Sequence, residues 1–365
     1  MSIIKSTPIN ELLNNELVRP LNSMGHPVDS KFIRLDKNEN CDPELLRLYK
    51  SILEEFPITH FSQYPNLYNL YEKISKWLGV SEKNILLVPG SDGVIRQVFE
   101  AYIERGDTVI ITSPTFAMYP VYCQMFGANM IEFNHQFSIS SSTLDVGELI
   151  KLILKKRPKL VCLPNPDSPT GSILKFDDLS CILNACNRVG SIFLVDEAYH
   201  PFHSDSIIDL ISNDSNLILA RTFSKAWGLA GLRVGYAVSG NDKILYLNKM
   251  RPMYEIGAVS SEFISRVFDY IHIINLSVQR VLQTKANFEN SMRDFGYQVK
   301  ETYGNFSQIN LGNDSVEMHK ILVKKFLYRK TFSHPSLYGY SRFSIGSDNE
   351  MLMLQMAIRG FDEYK

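Results

Sequence analysis

The sequence lacks an excess of charge of either sign. Its 38 lysines and arginines face 39 aspartates and glutamates over 365 residues, a formal net charge of −1. No long basic run stands out, so neither nucleic acid nor an anionic membrane surface is an implied partner. Any anionic ligand must be held by a few positioned arginines or lysines. No apolar stretch approaches the roughly 20 residues of a membrane-spanning helix. Cysteine is sparse and odd in number: Cys41, Cys123, Cys162, Cys181 and Cys186, none in a C-x-x-C pair. That pattern reads as a reduced, cytoplasmic protein. The N-terminal MSIIKSTPINELLNNEL mixes polar and acidic residues into its apolar ones and lacks a signal-peptide core. Internal repeats and low-complexity segments are also missing.

What is present is a 45% hydrophobic chain, long enough for a large core in two or three domains. Short β-branched-rich runs recur at Ile85–Val88, Thr108–Thr112, Ala128–Phe133, Lys159–Leu163, Ser191–Val195, Leu217–Ala220 and Val234–Val238. Most lack strict alternation, which fits strands buried on both faces. Helical patterns at Ser91–Glu104, Phe116–Phe126 and Phe176–Arg188 lie between them. Strands alternating with helices predict an α/β fold with a mainly parallel, doubly wound sheet of seven strands. Ligands of such sheets sit beyond the carboxyl ends of the strands. Residues 241–290 read as long helix, and 291–365 as a smaller α+β unit with strands near Gln298–Thr302, Phe306–Leu311 and Tyr340–Ile345. The expected division is a large ligand-binding domain over 46–250, with 1–45 and 251–365 forming a small domain, its N-terminal arm and a linking helix.

The most informative stretch is Arg221-Thr222-Phe223-Ser224-Lys225-Ala226-Trp227-Gly228-Leu229-Ala230-Gly231-Leu232-Arg233-Val234-Gly235-Tyr236. Its glycines let backbone approach a ligand, and its hydroxyls and Arg233 suit a phosphate. A lysine that forms an imine must be deprotonated, which burial and nearby positive charge favour. Taken alone, a lysine among small residues is a solvated loop cation. Val195-Asp196-Glu197-Ala198-Tyr199 directly follows an apolar strand; a carboxylate there either caps a helix or faces a protonated ring nitrogen. Asn165-Pro166-Asp167-Ser168-Pro169-Thr170-Gly171 is by itself a turn-rich loop. Pro89-Gly90-Ser91-Asp92-Gly93 joins a strand to a helix whose N-terminus can seat an anion. His200 and His203 are spaced i, i+3, but no Cys, Asp or Glu completes a set, and no metal is assigned.

These four signals fall in order on the ends of successive strands. Together they resemble the fold-type-I, class I and II pyridoxal-phosphate aminotransferases, and within them the histidinol-phosphate aminotransferase branch. The likeness runs through Leu35-Asp36-Lys37-Asn38-Glu39-Asn40, Gln63-Tyr64-Pro65, the Gly90–Gly93 turn and Pro114-Thr115-Phe116-Ala117-Met118-Tyr119. It continues through NPDSPTG, DEAY and the lysine stretch to Ser341-Arg342-Phe343-Ser344-Ile345-Gly346, nearly the whole chain.

The resemblance implies an aspartate-aminotransferase-like fold and pyridoxal 5'-phosphate as cofactor. Lys225 matches the lysine that carries the cofactor as a Schiff base and moves the proton at the substrate α-carbon. Asp196 matches the partner of the pyridine nitrogen, Tyr199 the phenol at the ring oxygen, and Phe116 the aromatic on the ring face. Ser91, Asp92 and Gly93 at the helix start, with Thr222, Ser224 and Arg233, match the phosphate seat. Tyr64 matches a tyrosine that reaches the phosphate from a neighbouring subunit, which implies a homodimer with shared active sites. Arg342 matches the arginine for the substrate's anionic group, Arg329 is a candidate for a substrate phosphate, and Asn40 belongs to a segment that lies over the substrate.

Two departures stand out. Relatives place Asn immediately before Pro-Thr-Gly, bonded to the cofactor's ring oxygen. Here Ser168 occupies that position, with Asn165 three residues earlier, and both are counted as cofactor contacts. The usual Pro-aromatic step after Asn-Glu-Asn is replaced by Cys41-Asp42, which leaves a substrate other than histidinol phosphate open. The expected reaction moves an amino group from an amino acid, glutamate first among them, to a keto or aldehyde acceptor, a phosphorylated one included. The alternative is decarboxylation of a phospho-amino acid such as O-phosphoserine or O-phosphothreonine, since the bond held perpendicular to the ring is the one that breaks.

Overall fold

The computed structural model describes residues 31–313 and 315–363. The signal-peptide reading and residues 1–30 of the segment 1–45 expected to hold the N-terminal arm lie outside the described residues.

Seven strands form the main sheet, in the spatial order Ile85–Val88, Gly235–Ser239, Leu217–Thr222, Ile192–Asp196, Leu160–Pro164, Thr108–Ser113 and Asn129–Asn134. Six run in one direction, and Gly235–Ser239 runs against both its neighbours. The continuous apolar runs have a direct cause. Except in the edge strand Asn129–Asn134, which is mostly exposed, alternate residues of each strand face two separate cores, so neither face meets water. On one side Leu86, Val109, Cys162, Leu194 and Ala237 pack with Val94, Val98 and Phe99 of the helix Gly90–Tyr102. On the other, Leu87, Ile110, Val161, Phe193 and Val238 pack with Ile153, Ile182 and Phe263 from the helices Val146–Lys156, Phe176–Val189 and Ala258–Val267.

Helix ends follow their local chemistry. Asp42 and Asp145 accept the first free amides of the helices Pro43–Glu54 and Val146–Lys156, and Gly190 closes Phe176–Val189 in left-handed backbone. The long helix expected over 241–290 is broken into Asn241–Met250, Ala258–Val267 and Ile271–Asp294. Pro252 is the reason for the first break. It pushes Arg251 into extended backbone (ψ 146°), and Gly257 then restarts the helix as an N-cap.

A second, antiparallel sheet contains Gln298–Lys300, Phe306–Asn310 and Tyr340–Ser344. Two short strands, Ile33–Leu35 and Phe326–Tyr328, pair in parallel beside it. Past that pair, Arg329 and Arg342 bond each other in both directions (N···O 3.1 and 2.8 Å). Among the described residues no helix is long and apolar enough to cross a membrane.

Candidate active site

A cavity of about 660 Å³ opens where the carboxyl ends of the main strands face the second sheet. Its floor begins at Gly90, the first residue of the helix Gly90–Tyr102, in left-handed backbone (φ 74°). The first amides of a helix have no partner within it, so this end presents N–H donors. Gly235 permits the layout: a Cβ there would sit 2.7 Å from the Ser91 nitrogen and 2.4 Å from the Gly90 carbonyl carbon. Thr222, at the end of its strand, donates its hydroxyl to Ser224 (2.9 Å) and accepts the Ser224 amide (3.1 Å). Arg233 donates to the Ser224 hydroxyl (3.3 Å) and the Ala230 carbonyl (3.2 Å). Ser91, Thr222, Ser224 and Arg233 thus ring one end of the cavity with donors.

Asp196 ends the central strand and is buried. One carboxylate oxygen accepts the Ala198 amide (3.0 Å), and the group borders the cavity. Burial, with Asp92 and Glu197 nearby, pushes its pKa up to about 7 against the pull of that amide and of Lys225. Glu197 is neutralised behind it by Arg221 (2.8 Å), both side chains nearly inaccessible. Lys225 donates to the Lys37 carbonyl (2.7 Å). Burial and the cations Arg342 and Arg233 lower its pKa to about 8, so a substantial neutral fraction exists near physiological pH. Its Nζ lies 6.0 Å from the Tyr199 ring centre. Burial raises the Tyr199 phenol despite the nearby Arg342 charge.

The opposite wall carries Arg342, Arg329 and Phe332. Arg342 donates to the Ser168 hydroxyl (3.3 Å) and the Asp36 carbonyl (3.0 Å), while its buried Nε has no partner. Because Arg329 and Arg342 are directly opposed on antiparallel backbone, their side chains leave on one face. Two like charges there repel, and burial and Arg329 together lower the Arg342 pKa. Phe116 lines the cavity as well.

Several expected contacts lie elsewhere. Asn165 is not in the cavity wall: its amide is spent on the Leu174 carbonyl (3.2 Å) and the Leu174 N–H (2.8 Å), which closes the loop. Asn40 is likewise turned away, donating to the Ala226 carbonyl and Ser277 and accepting the Asp42 amide. Gly93 lies inside the helix, where a Cβ would press on Pro89 and Val88, so its smallness serves packing. The Asp92 carboxylate accepts the Tyr122 hydroxyl (3.1 Å) and bears the wrong charge to hold an anion; only its backbone amide suits one. Tyr64 stays outside its own chain's cavity, exposed and stacked on Tyr254 at 4.2 Å. Asp42 caps its helix and pairs with Arg280 (2.7 Å), so the Cys41-Asp42 step does not line the cavity. His200 sits against Trp77, and burial holds its pKa down at about 3.

Asn38 was missed. It lines the cavity and donates to the Tyr199 hydroxyl (2.7 Å) from left-handed backbone (φ 54°). Asparagine tolerates that conformation, a signal present in the Lys37-Asn38-Glu39 run.

Comparison with known proteins bears on the family and the fold. The model of the family described as aminotransferase class I and II matches residues 30–358. A histidinol-phosphate aminotransferase of Caldanaerobacter subterraneus subsp. tengcongensis is 30% identical over 96% of this chain and 99% of its own. One of Thermoanaerobacter pseudethanolicus is 32% identical over 93% of this chain and 95% of its own. A crystal structure of histidinol-phosphate aminotransferase from Sinorhizobium meliloti, in complex with pyridoxal-5'-phosphate, superposes with a TM-score of 0.81 at 21% identity, over 99% of this chain and all of that one.

Proposed function

Because the chain belongs to the class I and II aminotransferases and is a pyridoxal-phosphate-dependent enzyme, we propose that its cavity holds the cofactor against Lys225 and moves an amino group from glutamate to a phosphorylated keto or aldehyde acceptor. The residues present fit that group. Asp196, with its carboxyl raised to about 7, suits a protonated ring nitrogen that would restore its charge. The donor ring of Ser91, Thr222, Ser224, Arg233 and the helix start suits a phosphate. Lys225 supplies the amine between them.

When bound, the cofactor supplies a carbonyl carbon for the amine and a ring that accepts electrons. Asp196 would keep the ring nitrogen protonated, and Tyr199 would donate to the ring oxygen. Phe116 would cover the ring and exclude water from one side. Lys225 would take the proton from the substrate α-carbon at Nζ. Its lowered pKa lets it do so near neutral pH. Arg342 orients the donor by its α-carboxylate.

The observation that carries this reading is the convergence of Lys225, Asp196 and Arg342 on one cavity. The paired guanidiniums of Arg329 and Arg342 favour an acceptor with a dianionic group, since an anion between them relieves their repulsion. Tyr64, exposed and stacked on Tyr254, supports a homodimer in which it enters the second copy's site. Residues 46–250 are taken as the cofactor-binding domain and 1–45 with 251–365 as the domain that presents Arg342. The five free cysteines suit a reducing cytoplasm.

The test is to load the protein with pyridoxal phosphate and titrate it with L-glutamate. Loss of the visible band with growth of the amine-form band is the expected result, and Lys225→Ala abolishes it. An unchanged spectrum with glutamate removes it as donor, and carbon dioxide release from O-phosphothreonine would replace transfer by decarboxylation.

A further inference from the structure

The resemblance implies an amide at the position of Ser168, whose short hydroxyl accepts from Arg342 and also bonds the Tyr199 phenol. An amide nevertheless reaches the phenol beside it, from a different part of the chain. Asn38 Nδ2 donates to the Tyr199 hydroxyl at 2.7 Å. Both residues are buried, so water does not compete for the contact.

Ser344 and Asn305 hold Asn38 through three bonds. The Asn38 backbone N–H donates to the Ser344 hydroxyl (2.7 Å), which in turn donates to Asn38 Oδ1 (3.0 Å). Asn305 donates its side-chain amide to the Asn38 carbonyl (3.0 Å). Since the Ser344 oxygen already accepts from the Asn38 backbone, its proton is directed to Oδ1, and Nδ2 is left for the phenol. A hydroxyl that accepts an N–H becomes a stronger donor. Ser168 also bonds the phenol, and the Tyr199 side chain borders the cavity that Lys225 and Asp196 line.

We propose that Asn38 is a positioning residue for Tyr199, supplying from the N-terminal segment the side-chain amide that is missing at position 168. Ser344 and Asn305 hold Asn38, and Ser344 ends the strand that bears Arg342. The wall that presents Arg342 therefore also sets the phenol.

The proposal rests on the reading that the cavity binds pyridoxal phosphate with Tyr199 at its ring oxygen. A donor there stabilises negative charge on that oxygen and lowers the pH midpoint of the bound cofactor's visible band. Two variants remove the Asn38 donor in different ways. Asn38→Asp keeps the acceptor for Ser344 but has no N–H. Asn38→Gly keeps the left-handed backbone without strain and has no side chain. Each should raise the midpoint by about one unit. Adding Ser168→Asn to Asn38→Gly should restore at least half of the shift, which a purely structural role for Asn38 would not produce. A midpoint unmoved in both variants, with the band intact, overturns the proposal. So does a change confined to the unfolding temperature. Wild-type protein that forms no visible band overturns the functional reading and this inference with it, a result distinct from a band that forms and ignores Asn38.

Discussion

Arg233 lies over Gly90, its Nη2 only 2.9 Å from where a Cβ on that glycine would stand. Both residues are in left-handed backbone, φ 53° and 74°. The bare glycine lets the guanidinium and the helix start converge on one anion.

Gly90→Ala should therefore act on the anion seat more than on the fold. Strained backbone costs about 1–2 kcal/mol, but the clashing atom is the tip of a flexible side chain that can swing away. Displacing it removes a charge-assisted donor, and the expected loss in cofactor affinity is about tenfold or more. Equilibrium titration with pyridoxal phosphate checks this, beside an unfolding midpoint. Unchanged affinity with a large stability loss would show that Gly90 serves folding only.

Asp196 yields a prediction in cofactor-free protein. Its carboxyl is raised from 3.8 to about 7, so the folded chain holds a proton that the unfolded chain has lost between those values. Its contribution is then most favourable below pH 4 and declines as pH rises to about 7. Asp196→Asn should remove that decline, seen as a flatter stability-versus-pH curve in urea. In the loaded enzyme the same change should lower kcat by roughly a hundred- to a thousandfold, the usual scale for one preorganised electrostatic partner. An unaltered pH slope would mean that the buried carboxyl is not protonated in the folded state.

These residues were legible to different degrees, for physical reasons. Asp196 ends its strand, while Lys225 and Arg233 lie in the short loop between the strands Leu217–Thr222 and Gly235–Ser239, and a strand buried on both faces announces itself by an unbroken apolar run. Its last residue is then placed by the sheet. The pairing of Ile33–Leu35 with Phe326–Tyr328 joins segments almost three hundred residues apart and three residues long, too short for a periodic signal. Asn40 and Asn38 differ by two positions, and only backbone geometry decides which faces the cavity. Left-handed φ at Asn38 turns its side chain to Tyr199, while Asn40 is taken up by Ala226 and Ser277. Asn165 was misplaced for a similar reason: its amide closes its own loop, a local bond that competes with any ligand. The break in the helix at Arg251-Pro252 was readable from proline's steric demand on the residue before it.

Lys225 predicts the opposite pH trend to Asp196. Burial lowers its pKa from 10.5 to about 8. Below about 8 the amine is charged in both states and the full burial penalty opposes folding. Between about 8 and 10.5 the folded amine loses its proton first, so stability rises with pH across that window. Lys225→Met should be more stable than wild type in cofactor-free form near pH 7, with the difference closing toward pH 10. Thermal midpoints of the two proteins across that range decide it. A variant less stable than wild type at pH 7 would show that the Lys225 bond to the Lys37 carbonyl outweighs the cost of burying the charge.

Arg342 and Arg329 separate the two substrates. Arg342 has a buried, unpartnered Nε and faces the cavity beside Ser168. Losing a buried, ligand-paired guanidinium costs about 2–4 kcal/mol, or roughly thirty- to a thousandfold in kcat/KM. Arg342→Gln should impose that loss on glutamate and acceptor alike, since the donor's α-carboxylate and the acceptor's anionic group both meet this guanidinium. Arg329 donates to the Thr331 carbonyl and stacks on Phe332, nearer the rim. Arg329→Gln should spare glutamate within about threefold and weaken a phosphorylated acceptor by about tenfold or more. Half-reactions with each substrate, followed by the cofactor's absorbance, keep the two effects apart. Equal losses on both substrates in Arg329→Gln would mean that the paired guanidiniums act as one carboxylate site, and the preference for a dianionic acceptor would have no support.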